Sequence, residues 1–265
     1  MTAIRAVYSQ VRIGWRTPWA YRGPTLLTMM ILAAQIALYT VVWRAIYRGH
    51  SGTVHGTSVD VAVAYVILGL TVASVLDLWP RQSIASRVRE GLIGVDLLRP
   101  IGLLTQTLAT QVGNVAANIP QTVIGLGMGF ALGGLVPAHG PGAAAAFVLS
   151  LVFAFAVSQL ITLLMGLSSF WTLEVGGTTM LFGVVRTFLS GTVIPLWFMP
   201  GWLRTIADVL PFQAATFTPL SIYFGRPTGG LLAALGVQAG WVIVLLGLCC
   251  WVWSRARKRV VIQGG

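Results

Sequence analysis

Arg81–Pro100 reads RQSIASRVREGLIGVDLLRP, a charged island between long apolar stretches. It carries four arginines together with Glu90 and Asp96, whereas from Ile101 to Leu203 the only formal charges are Glu174 and Arg186. A charge held at the centre of a bilayer costs about 3 kcal/mol or more, so the island belongs in water. Its arginine excess assigns it to the cytoplasmic side. Ile84, Val88, Leu92 and Val95 recur at helical spacing, which predicts one apolar side and leaves Arg87, Arg89 and Glu90 solvated. Gly91 and Gly94 interrupt the helix, and Pro100 starts the next element. A short exposed helix below a membrane domain suits docking of another protein. A plain connector between two spans carries the same pattern.

The rest of the chain explains why the island stands out. Of 265 residues, 56% are hydrophobic and 9% charged, and mean hydropathy is +0.84. Soluble domains are about 25% charged, so residues 1–265 form one all-α integral membrane domain. The net charge of +11 is no nucleic-acid signature, because the arginines cluster at span ends rather than on one domain face. Cys249 and Cys250 are adjacent. Neighbours on a helix point about 100° apart, so the pair reads as small apolar filler rather than a bridge.

Residues 1–23 precede the membrane. Ile4, Val7, Tyr8, Val11 and Trp15 fall on one helical face, and Arg5, Ser9, Arg12 and Arg16 on the other. This predicts an interfacial amphipathic helix with arginines available to anionic headgroups; a soluble helix packed on a partner fits the same pattern. The apolar run that follows is about span-length and lacks a convincing small-residue cleavage site, so it reads as a retained helix rather than a signal peptide.

Six spans are predicted: Thr25–Tyr47, Val59–Trp79, Ile101–Val136, Ala143–Leu167, Met180–Met199 and Thr228–Trp253. The third contains Asn114, Asn118 and Pro120. It is either one helix kinked at Pro120 or a hairpin, and the hairpin halves are too short for a hydrocarbon core of about 30 Å. Gly125, Gly129 and Gly133 form a ridge suited to close packing within the molecule. Residues 200–227, broken by Pro200, Pro211, Pro219 and Pro227, read as a re-entrant outer hairpin, which is tolerated at depth only if buried by protein or lining a wet cavity. With both termini inside, the start, the island and the tail each hold four basic residues. The outer segments hold only Arg44, Arg48, Arg204 and Arg226, an asymmetry that supports six crossings.

Chemistry is sparse. No Gly-rich phosphate loop ending in Lys-Ser or Lys-Thr occurs, and the single lysine is Lys258, so that route to bound nucleotide is closed. HExxH, CxxC and Gly-x-Ser-x-Gly patterns are missing, and the three histidines fall in predicted outer loops. His50 and His55 in a Gly/Ser loop are weak evidence for metal. Glu174 and Arg186 are twelve residues apart across a turn; they either pair or face a pathway. Arg204 and Asp208, at i and i+4, predict a local salt bridge.

The stretch from Ser190 to Gly225, SGTVIPLWFMPGWLRTIADVLPFQAATFTPLSIYFG, resembles the type-2 ATP-binding-cassette (ABC) exporter permeases in Ser190, Gly191, Pro195, Pro200, Leu210–Phe212, Pro219 and Gly225. GLIGVDLLRP in the island and SSFWTLE at 168–174 are similar to a bacterial subgroup of about 260-residue permeases. The resemblance implies six spans with an N-terminal interfacial helix, and a dimer, either with a second copy or with a homologous permease. It also implies two separate ATPase subunits that hold ATP and Mg. Ser83–Leu92, with Ile84, Arg87, Val88, Arg89, Glu90, Gly91 and Leu92, is then the ATPase-coupling helix, aided by the N-terminal helix with Arg5, Arg12, Trp15 and Arg16. Glu174, Arg186 and Pro195 are candidates for a gate or pathway. An ion-coupled transporter would need carboxylates at mid-membrane, and a lipid-modifying enzyme would need clustered Asp, His or Glu; the six acidic residues are scattered.

Overall fold

The structure, a computed structural model, describes residues 3–48, 53, 54, 56–76, 84–99, 101–172 and 176–263. Among them regular structure is helical, apart from one antiparallel bridge between Val54 and Thr57. In chain order the helices are α1 (Ala3–Ala20), α2 (Arg22–Tyr47), α3 (Val59–Val75), α4 (Ile84–Arg89), α5 (Ile93–Leu97) and α6 (Leu103–Ala117). They continue with α7 (Ile119–Ala131), α8 (Pro141–Ser168), α9 (Gly176–Leu189), α10 (Gly201–Val209), α11 (Phe217–Tyr223) and α12 (Leu231–Gln263). Arg22–Tyr47, Pro141–Ser168 and Leu231–Lys258 are each long and apolar enough to cross a bilayer, and Val59–Val75 and Met180–Leu189 are shorter apolar helices. The chain is a multi-pass helical membrane protein.

The core is built around α3. Ser58 Oγ accepts a hydrogen bond from the Val61 N–H, and Asp60 sits in the first turn, where its charge favours the helix dipole. Every residue from Ala62 to Val72 is buried, with α2 and α7 packed along the helix and α11 touching it as well. The glycine ridge of α7 provides the close approach. A Cβ on Gly125 would lie 2.1 Å from Thr71 Oγ1, and one on Gly129 3.1 Å from Ile67 Cγ2. The third ridge position differs from expectation. Gly133, at φ +61, turns the chain out of the helix, and Gly134 takes the contact, 2.7 Å from Ile67 and 2.8 Å from Val63. On another side, Tyr65 Oη donates to Gly191 O at 2.7 Å, and its ring meets Trp197 and Phe224.

Segments expected on the same side of the membrane converge. At one end Arg226 donates to Thr57 Oγ1 and Gly56 O, Arg44 to Leu132 O, and Tyr223 Oη to Val136 O. At the other, Ile84 of α4 packs on Gly166 of α8, and Phe170 packs on Trp253. The third predicted span is not a hairpin. The chain passes from α6 to α7 through Asn118, which keeps right-handed dihedrals, and the halves meet different partners, α1 for α6 and α3 with α2 for α7. The interruption falls at Asn118 because Pro120 cannot supply an N–H to the helix before it.

The fifth predicted span ends ten residues before Met199. Gly191 takes φ +70, and a 3₁₀ turn, Leu196–Phe198, follows. From there to Tyr223 the chain is short helices and turns, and residues 212–222 are buried. Non-helical backbone needs partners when removed from water. Gln238 of α12 donates to Ala214 O at 2.8 Å while its Oε1 accepts from Ser150 Oγ at 2.7 Å. Phe217 N–H donates to Ser190 O at 3.1 Å, beside the hydroxyls of Ser190, Thr192 and Thr216. Arg204 and Asp208 pair at 3.9 Å as expected, and both are exposed.

Gly125 and Gly127 separate packing from composition. Gly125→Ala is expected to lower stability in detergent by about 1–3 kcal/mol through overpacking. Gly127, where a Cβ meets nothing within 4 Å, should accept alanine without loss. Thermal unfolding of the two purified variants checks this.

Candidate functional site

Within the island, α4 and α5 form a short helical hairpin. Gly91, at φ +70, reverses the chain between α4 and α5 in a conformation that an L side chain enters at a cost of about 1–2 kcal/mol. The space around it is open, so the requirement for glycine lies in the backbone and not in crowding. The turn splits the predicted apolar stripe. Ile84 is buried and Val88 packs against the core, whereas Leu92 and Val95 are exposed, with Leu98 at 86%. On α5 the buried positions are Ile93 and Asp96.

Asp96 is the electrostatic centre. Arg87, expected to be solvated, instead reaches across the hairpin. Its Nη2 donates to Asp96 Oδ1 at 2.6 Å and its Nε to Oδ2. The fork geometry of guanidinium against carboxylate makes this one of the stronger charged hydrogen bonds. Arg99 Nη2 adds a second cation 3.7 Å from Oδ1. From α6, Gln106 donates to Asp96 O at 2.9 Å and Ile101 O at 2.7 Å, and accepts from Arg99 at 3.4 Å. A carboxylate only 3% exposed is thus held by two arginines, and the hairpin is tied to the helix that follows it.

α1 completes this end. It packs along α6 at backbone contact: a Cβ on Gly14 would lie 2.1 Å from Thr110 O, and one on Gly113 2.1 Å from Val11 O. Gln10 Oε1 accepts from Thr110 Oγ1 at 3.3 Å. The face that packs is therefore Gln10, Gly14 and Pro18, all buried, and not the predicted apolar stripe. Ile4, Tyr8 and Trp15 remain exposed, as do Arg5, Arg12 and Arg16. Between α1, α6 and the hairpin lies a cleft of about 120 Å³ touched by Gln10, Thr17, Arg87, Asp96 and Arg99.

The remaining predicted residues lie elsewhere. Glu90 is exposed at the turn; Arg89 ends α4, its side chain outside the described atoms. Arg81, Ser83, Pro100, Trp79, His50, His55 and Glu174 lie outside the described residues, and with Glu174 so does the choice between a Glu174–Arg186 pair and a pathway role. Arg186 is buried in α9 and its Nη1 donates to Thr162 Oγ1 at 3.2 Å; its Nε and Nη2 find no partner among the described residues. Pro195 precedes the 3₁₀ turn. No cluster of three or more potential metal ligands occurs among the described residues.

Sequence reading missed Asp96, Arg99 and Gln106 as a unit, and it missed Gly14 with Gly113. The first had a signal: Asp96 is the island's only acidic residue besides Glu90. The second had none, because the two glycines are separated by about a hundred positions.

A family model described as an ABC-2 family transporter protein matches residues 32–264. The chain belongs to that family and is a membrane permease component of an ABC transporter. A comparison with curated proteins found no match.

Arg87→Gln removes the bidentate partner of a buried carboxylate and leaves it Arg99 at 3.7 Å; it is expected to destabilise the purified protein by about 3 kcal/mol. Arg87→Gln combined with Asp96→Asn removes the buried charge along with its partner and should recover most of that loss. Thermal melts of the single and double variants measure both.

Proposed function

We propose that this ABC-2 permease is the membrane subunit of an ATP-driven exporter in the bacterial cytoplasmic membrane, with both termini and the α4–α5 hairpin on the cytoplasmic side. The supporting observation is the hairpin itself: its base is locked by Arg87, Asp96, Arg99 and Gln106, while Leu92, Val95 and Leu98 are left exposed at its outer edge. Apolar side chains on a rigid support in water are what a partner's groove buries. That partner is a pair of ATPase subunits, which bind ATP and Mg and close. The hairpin passes their motion to α6 through Gln106 and to α8 through Ile84. Coupling then requires that nucleotide favour one arrangement of the helices over another.

In this reading the chain crosses six times, by α2, α3, α6–α7, α8, α9 and α12. Residues 200–227 re-enter from outside: Ala214 O is bonded by Gln238, which also bonds Ser150. Ser150 lies nine positions past Pro141, the start of α8, or about 13 Å deep at the helical rise. α1 lies in the interface, its arginines toward headgroups. A second permease, a copy or a homologue, meets the apolar face of α2 and α9, where a groove of about 530 Å³ runs between Tyr39 and Phe188. Arg186, whose Nε and Nη2 have no partner among the described residues, is a charge within the spans able to exchange partners during transport, with Glu174 or with cargo. Export as the direction follows the family resemblance of Ser190–Gly225. An ion-coupled carrier is less supported, because the buried carboxylate of Asp96 is already neutralised by Arg87 and Arg99.

Leu92→Ser combined with Leu98→Ser changes exposed side chains only, so insertion and melting temperature should stay as in wild type. Stimulation of the partner ATPase is expected to fall by about tenfold or more, as for loss of an interface anchor. Wild-type stimulation by the double variant contradicts docking at this edge.

A further inference from the structure

A second feature at the same end of the bundle is unused by this reading. Where the end of α8 meets α12, a groove of about 620 Å³ opens between Leu164, Trp171, Trp251 and Val252, with Arg255 and Lys258 on its rim. Trp251, Arg255 and Lys258 follow one another at i, i+4 and i+7, so they form a single stripe on α12. The Arg255 guanidinium lies over the Trp251 ring, 5.2 Å from its centroid. That contact holds the cation beside the groove, which Arg255 lines. Phe170 against Trp253, at 6.0 Å, holds the two helices together beside the groove. No carboxylate lines it among the described residues.

Three properties coincide here. The walls are apolar. Two tryptophans, 42% and 56% exposed, flank the groove: Trp171 just past the end of α8 and Trp251 seven residues before the end of the span-length stretch Leu231–Lys258, positions suited to an interfacial aromatic belt. Two cations sit beyond them, on the side where anionic headgroups lie. We propose that this groove is a binding site for an anionic phospholipid. Arg255 and Lys258 hold the phosphate, and an acyl chain lies along Leu164 and Val252 between the tryptophans. The proposal needs α8 and α12 to span the membrane with this end at the headgroups. It does not need the hairpin to dock an ATPase, so the two readings fail separately.

The test is native mass spectrometry of the full-length protein in mild detergent, titrated with phosphatidylglycerol and with phosphatidylcholine. Wild type is expected to hold phosphatidylglycerol about tenfold more tightly or better. Arg255→Gln with Lys258→Gln, both exposed, should erase the preference. Arg204→Gln, in α10, should keep it, and Trp251→Leu should weaken binding of both lipids. Equal retention of the two lipids by wild type overturns the proposal, as does a double variant that still prefers phosphatidylglycerol. Displacement by glycerol phosphate at the same concentration as the lipid overturns it too, since it would mean that the chain-binding walls contribute nothing.

Discussion

Between Ala62 and Val72 α3 has no outward face, and the rest of the molecule is arranged to make that possible. A helix enclosed on all sides needs neighbours that come close without gaps. α7 meets it with Gly125, Gly129 and Gly134, and the Gly191 turn meets it at Tyr65 and Gly69. These contacts fix where α9 must stop and where the chain between α9 and α12 must fold back. The polar groups freed by that fold-back are bonded by Gln238, Ser150 and the Ser190–Thr192–Thr216 hydroxyls. The core thus accounts for both the packed centre and the capped end.

The opposite end is held by charge. Asp96 is buried where burial alone would be costly, and it is stable there because two arginines and a glutamine surround it. The same contacts join the hairpin to α6, and α6 is joined to α1 at backbone distance through Gly14 and Gly113. The hairpin, α1 and the first half of the third predicted span therefore form one connected unit. In the proposed reading, force applied to the hairpin reaches α6 and α8 through these contacts.

Much of this plan was legible in the chain. α2, α8 and α12 are long apolar runs, α2 and α12 with basic residues at their ends, and hydropathy needs nothing more to find them. The island was legible because its charges have nowhere dry to go. The enclosure of α3 was not: a helix apolar all round reads alike whether protein or lipid covers it. The third ridge contact was misplaced by one residue, because Gly133 is required for its positive φ and Gly134 for its lack of a side chain. The Arg87–Asp96 pair was hidden by treating the island as one stripe. Once Gly91 reverses the chain, residues nine apart become neighbours, and Leu92 and Val95 leave the face that Ile84 and Val88 keep.

The central claim is that the outer edge of this hairpin faces the cytoplasm and is covered by an ATPase. Its most direct measurement is maleimide labelling of Leu98→Cys, at the most exposed apolar position of the hairpin, in a chain whose Cys249 and Cys250 have been replaced by alanine. Labelling is predicted in inside-out vesicles, with protection when the ATPase is bound, and none in right-side-out vesicles. Labelling from the outside, or labelling from the inside that the ATPase leaves unchanged, contradicts it.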